Sequence, residues 1–190
     1  RGAENKMSRR DGYCVVTLSW VFFTFFGMLP FYFSGSIDTI TNAFFETMSG
    51  FTTTGATILD DIESLSHGML FWRSLTQWIG GLGIVFFTIA ILPIFTTGGV
   101  QLFSAESTGV THDRTHPKIN VMAKWLWTIY LVLTVSETVL LMFGGMSLFD
   151  AICQSFATTA TGGYSTKQNS ISYWNSPYIE YVVAIFMIVS

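Results

Sequence analysis

The sequence predicts an all-α membrane protein made of a repeated unit: span, short half-helix, Thr/Gly loop, span. Three observations carry this. Half of the 190 residues are hydrophobic and only 11% are charged, against about a quarter in an ordinary soluble domain. The charges are confined, with none in 12–37 and none in 74–105, and uncharged apolar runs of roughly 20 residues are long enough to cross a bilayer. The order of elements also recurs without a gap: Asn42 falls on Asp150, Ala43 on Ala151, Thr53 on Thr161 and Gly55 on Gly163.

The first unit covers 1–95. Its first span, 13–34, has Pro30 near the far end, and it is too long and aromatic behind its charged lead-in to be a cleaved signal. A half-helix over 37–50 opens at "SIDT", where Ser36 or Asp38 would cap it. Ala43, Phe44, Phe45 and Met48 recur there at helical spacing, yet the segment is too short to cross. The loop 52–57 reads "TTTGAT", an acidic stretch "LDDIESLSHG" follows, and a second span runs over 69–93. Residues 96–118 are a polar, Gly-rich linker.

The second unit, 119–190, repeats the order: span 119–143 with Glu137 inside it, half-helix 148–158 opened by Ser147 or Asp150, loop 160–165 reading "ATGGYS", and a span from 177. The chain begins without Met and ends inside an apolar run, which reads as a piece of a longer protein.

Net charge of −3 says little; where the charges sit says more. Arg1, Lys6, Arg9, Arg10, Arg114, Lys118 and Lys124 fall on one side of this topology, and only Arg73 and Lys167 toward the other. Because basic residues stay inside, the N-terminus and 96–118 are expected in the cytoplasm of a multi-pass inner-membrane protein. The half-helices then enter from outside.

Such a half-helix aims the partly negative end of its dipole into the bilayer. Non-helical backbone at that depth must line water or protein. Glycine supplies the φ > 0 conformations a loop of inward carbonyls needs, and threonine adds a hydroxyl oxygen. Carbonyl and hydroxyl oxygens without carboxylates suit a monovalent cation that must bind and leave, the arrangement of a K⁺ filter.

"FFETMSGFTTTGAT", "FWRSLTQWIGGLGIVFFTIAILP" and "ATGGYST" together resemble the Trk/Ktr/HKT superfamily of potassium transporters, in its bacterial TrkH-type branch, over nearly the whole chain. The resemblance implies a K⁺-channel-like fold with four units in pseudo-fourfold array around one pore, two of them beyond this sequence. It implies filter glycines at Gly55 and Gly163, with Thr53, Thr54, Thr161 and Gly162 supplying K⁺-facing oxygens. Only one glycine per loop is common to both copies, unlike the T-V-G-Y-G of tetrameric channels, which implies a looser filter. The expected partners are the bilayer, the remaining two repeats, a second copy in a homodimer, and a cytosolic nucleotide-binding regulatory subunit of the TrkA kind, with no nucleic acid. K⁺ is the cargo, and no cofactor is expected. A two-repeat K⁺ channel subunit and a Na⁺- or H⁺-coupled potassium symporter fit the same residues.

Glu46 on the first half-helix is costly in a membrane unless paired, and Arg73 at the outer start of span two is its expected partner. Glu137 is expected to be buried against a neighbouring helix. Gly80, Gly81 and Gly83 read as close helix packing. Asp38, Asp60, Asp61, Glu63 and Asp150 cluster on the outer face as loop and cap residues or as a cation funnel. Cys14 and Cys153 read as small buried hydrophobes. His112 and His116 lie outside any helical pattern and do not read as a metal site. No nucleophile–base pair or phosphate loop occurs, so the chain is not expected to be an enzyme.

Overall fold

The computed structural model describes residues 9–96 and 115–190. It is helical: α1 (Arg9–Gly27), α2 (Leu29–Phe33), α3 (Ile40–Phe51), α4 (His67–Thr96), α5 (Thr115–Phe143), α6 (Leu148–Thr159), a 3₁₀ turn (Ser170–Trp174) and α7 (Pro177–Val189). No strand occurs among the described residues. Most of the predicted linker, with His112, lies outside them.

α1 and α2 form one 24-residue apolar span, Arg10–Phe33, broken beside Pro30. Proline has no N–H to continue the ladder and its ring crowds the preceding turn. At this break the Trp72 indole of α4 donates to the Gly27 carbonyl at 2.9 Å. α5 contributes a second span, Ala123–Phe143. It begins at Thr115 rather than at 119, because Pro117 sits in the first turn, where its missing N–H costs nothing.

α3 and α6 have 12 residues each. At 1.5 Å per residue they reach about 18 Å, well short of a roughly 30 Å hydrocarbon core. Both start at a hydroxyl cap. Ser147 accepts from the Asp150 N–H and donates to its carboxylate, whereas α3 is capped by Thr39, not by Ser36 or Asp38. Thr39 has the extended backbone a cap requires and accepts from the Asn42 N–H. Ser36 is instead bonded to Ser34 at 2.8 Å. Three capping residue types stand within four positions there, so composition could not choose among them.

The packing is polar inside and apolar outside. Thr24, Glu46, Thr47, Arg73, Gln77, Glu137 and Ser155 are buried, while Phe26, Phe33, Trp125, Val132, Phe143 and Ile188 are exposed. Only 22% and 17% of the two span windows are buried. A water-soluble core has the opposite arrangement; this one is built for lipid. Cys14 follows the outer pattern: it is exposed on α1, against expectation, while Cys153 is buried. The four-residue spacing that puts Cys14 on the same face as Leu18 and Phe22, both exposed, turns it outward.

α4 organises the interior, packing against α3, α6, α1 and α5. α3 is held between α1 and α4, and α6 between α4, α5 and α7. Apolar clusters close the ends: Met28, Phe31, Ile37 and Ala43 under the first half-helix, and Leu141, Met146, Ala151, Ile179 and Val183 around the second.

Candidate functional site

Both half-helices end in the same way. After α3, the Thr54 N–H donates to Ser49 O and the Thr53 N–H to Gly50 O, at 2.9 and 3.0 Å. After α6, Gly162 donates to Ala157 O and Thr161 to Thr158 O, each at 2.8 Å. This is a Schellman C-cap, which places the residue after the cap in the left-handed region. Glycine usually fills that position. Here it is threonine twice: Thr53 at φ 54° and Thr161 at φ 53°. A β-branched residue there is strained.

The next residue but one returns to positive φ, Gly55 at 76° and Gly163 at 81°. Thr52 and Ala160, before the threonines, have φ of −83° and −82°. Alternating the hand of successive residues turns N–H groups to one side and carbonyls to the other. The N–H side is occupied by the helix-end carbonyls named above and, for Tyr164, by Gln77 Oε1 at 3.1 Å. The two loops also meet: a Cβ on Gly55 would lie 2.1 Å from the Gly162 carbonyl oxygen. Thr53 and Thr161 line one common cavity of about 420 Å³, together with Thr159, Gly81, Tyr130 and Val189. On the Gly163 side nothing lies within 4 Å of such a Cβ. Of the residues singled out in the two loops, the structure thus brings Thr53, Gly55, Thr161, Gly162 and Gly163 together. Thr54 sits beside them, its hydroxyl 2.8 Å from that of Thr52.

Behind the loops lies a buried ionic network. Arg73 Nε donates to Glu46 Oε1 at 2.7 Å, with both side chains at most 2% exposed. The Glu46 carboxylate also accepts from the Thr57 hydroxyl and the Ile58 N–H, so it fixes the strand leaving the first loop. Arg73 reaches the second loop as well, donating to Ser165 O at 3.1 Å and lying 3.6 Å over the Tyr164 ring. One guanidinium thereby joins the two loops, as a planar fork with several donors can.

The α4 glycines let this helix approach both half-helix ends. A Cβ on Gly80 would fall 2.1 Å from the Phe51 carbonyl, and one on Gly81 3.1 Å from the Ala160 Cα; Gly83 faces Trp20 more loosely. Glu137 is fully buried beside Thr158 and Thr159, with no hydrogen bond to either oxygen among the described residues. The acids of the loops and caps divide. Asp150 is engaged by Ser147 and Thr166, Asp61 by the Glu63 and Ser64 N–H groups, and Glu63 lies 3.6 Å from Lys167. Asp38 and Asp60 are exposed.

Known proteins resemble this chain in sequence and fold. The TrkH family, described as cation transport protein, matches residues 2–190. The chain belongs to the TrkH family. Its family relatives include the Trk system potassium uptake protein TrkH of Escherichia coli K12, 48% identical over the whole chain and 40% of the relative's length. TrkG of the same organism is 35% identical over 97% of the chain and 39% of its own length. Among solved structures of the family, the potassium transporter TrkH from Vibrio parahaemolyticus superposes with a TM-score of 0.82 at 37% identity, over all of this chain and 37% of that one. The chain therefore spans about two fifths of the length of these TrkH-family relatives.

Sequence reasoning missed two residues that brace the loops from behind, Gln77 and Tyr164. Both are fully buried or nearly so and both touch the loops. The available signals were a glutamine inside an apolar span and an aromatic placed directly after the second loop's glycine.

Proposed function

We propose that this chain is part of a potassium-uptake protein of the membrane, and that the cation passes beside the two Thr/Gly loops. The carrying observation is the duplicated loop geometry: a half-helix, a left-handed threonine, a left-handed glycine, and the N–H groups of Thr53, Thr54, Thr161, Gly162 and Tyr164 bonded within the protein. The carbonyl oxygens of Thr53, Thr54, Gly55, Thr161, Gly162 and Gly163, with the hydroxyl oxygens of the threonines, are the ligands in this reading, and K⁺ is the cargo. Such oxygens replace water around a large monovalent cation without holding it as a carboxylate would. The helix dipoles of α3 and α6 end at these loops and add negative potential where the cation sits.

Two loops make half a ring. Two further loops, from the rest of the polypeptide, complete it in pseudo-fourfold array. The names of the relatives support potassium as the cargo. The basic residues at the span ends support a cytoplasmic N-terminus and linker in the inner membrane. A homodimer and a cytosolic nucleotide-binding regulatory subunit belong to the same reading.

The test is radioactive rubidium uptake by the full-length protein in cells lacking their own potassium uptake, with Gly55→Ser and Gly163→Ser. Both variants are expected to lose rate or discrimination against Na⁺. Wild-type rate and selectivity in both would remove the loops from the ion path.

A further inference from the structure

Tyr164 belongs to the second loop by sequence, yet it works behind the first. It is 2% exposed. Its hydroxyl lies 2.9 Å from the Glu46 carbonyl and 3.2 Å from the Ala56 carbonyl, so one proton is shared between the first half-helix and the first loop. The Ala56 carbonyl also accepts from the Ser49 hydroxyl at 2.6 Å. That carbonyl is the first beyond Gly55, and two hydroxyls hold it on the protein side of the loop. The row of oxygens turned to the open side therefore stops at Gly55. Tyr164 is itself fixed, with the Arg73 guanidinium over its ring and its backbone N–H donating to Gln77 Oε1.

We infer that Tyr164, with Ser49, is a positioning residue for ion discrimination by the first loop: it pins the Ala56 carbonyl away from the ion path and ties the spacing of that loop to the second. This rests on the ion path proposed above. Without the pin, the Ala56–Thr57 peptide is free to rotate, and its oxygen joins or leaves the ion's coordination shell. Selectivity then softens, because discrimination by carbonyls depends on how many oxygens coordinate and how stiffly they are held.

The experiment uses the full-length protein in the same uptake-deficient cells. The readout is the ratio of the Na⁺ inhibition constant to the rubidium KM, alongside maximal uptake per amount of membrane-inserted protein. Tyr164→Phe keeps the ring and removes the hydroxyl; Ser49→Ala removes the companion donor. Each is expected to lower the ratio by about fivefold, the order of one neutral hydrogen bond, with maximal uptake unchanged. A wild-type ratio in either variant that is inserted normally overturns the inference, as does a fall in maximal uptake at constant ratio. If Tyr164→Phe does not accumulate, Ser49→Ala decides by the same criterion. Gly55→Ser, run in parallel, separates the two readings. A normal Gly55→Ser removes the first loop from the ion path and overturns this inference with it. A disturbed Gly55→Ser beside a normal Tyr164→Phe overturns the pin alone.

Discussion

Glu46→Gln is the sharpest structural perturbation that this arrangement offers. The carboxylate accepts from Arg73 Nε at 2.7 Å, from the Thr57 hydroxyl at 2.9 and 3.0 Å, and from the Ile58 N–H at 3.0 Å. A glutamine has the same shape but only one acceptor oxygen, and its amide nitrogen would face donors. More costly still, it leaves the Arg73 charge buried without a counter-charge among the described residues, with one amide oxygen, the Ser165 carbonyl and the Tyr164 ring as its company. Breaking a buried pair from one side costs about 3–5 kcal/mol, and Glu46→Gln is expected in that range. Arg73→Met leaves the carboxylate with its Thr57 and Ile58 donors and is expected at the lower end. Removing both partners takes away the unpaired charge, so the double variant is expected to be less destabilised than the sum by at least about 1.5 kcal/mol, a coupling typical of a direct contact. The assay is unfolding of the purified full-length protein in mixed micelles, followed by tryptophan fluorescence, since Trp72 and Trp78 flank Arg73 and Gln77 on α4. Additive effects within about 0.5 kcal/mol would refute the view that the pair is a unit bracing the two loops.

Three further outcomes follow from the same geometry. Thr53→Gly and Thr161→Gly relieve the left-handed strain and should raise stability by about 1 kcal/mol each, while rubidium uptake loses selectivity because the hydroxyl is gone; a loss of both stability and selectivity would contradict the assignment of strain. Gly80→Ala drives a methyl into the Phe51 carbonyl and should reduce the folded, monodisperse fraction severely. Gly163→Ala meets open space and should cost only about 1–2 kcal/mol of backbone strain, so equal thermal stability of these two variants would be inconsistent with the packing described. Ser147→Ala removes the cap of α6 and should lower stability by about 1 kcal/mol, whereas Ser36→Ala, at a position that does not cap α3, should be nearly neutral in the same unfolding measurement.

The sequence by itself determined the class of solvent, the order of the elements and the location of the loops. Uncharged runs of span length report on lipid directly, and an ungapped repeat of half-helix and Thr-x-Gly reports on architecture without any contact being known. Glu46 and Arg73 could be matched because a carboxylate on a half-helix at membrane depth needs a partner, and Arg73 is the basic residue that the topology puts nearest to it. What only the tertiary structure decided was register and side-chain direction. Thr39 rather than Ser36 or Asp38 caps α3 because backbone dihedrals, not residue type, select among adjacent hydroxyls. Cys14 faces outward because the hand of α1 puts it in line with Leu18 and Phe22. Tyr164 and Gln77 could not be assigned from their own neighbourhood, since each acts on a segment about a hundred positions away in the chain: Tyr164 on Glu46 and Ala56, Gln77 on Tyr164. Local periodicity encodes which face of a helix is apolar. It carries no information on which distant carbonyl a buried hydroxyl will reach once two repeats are folded side by side.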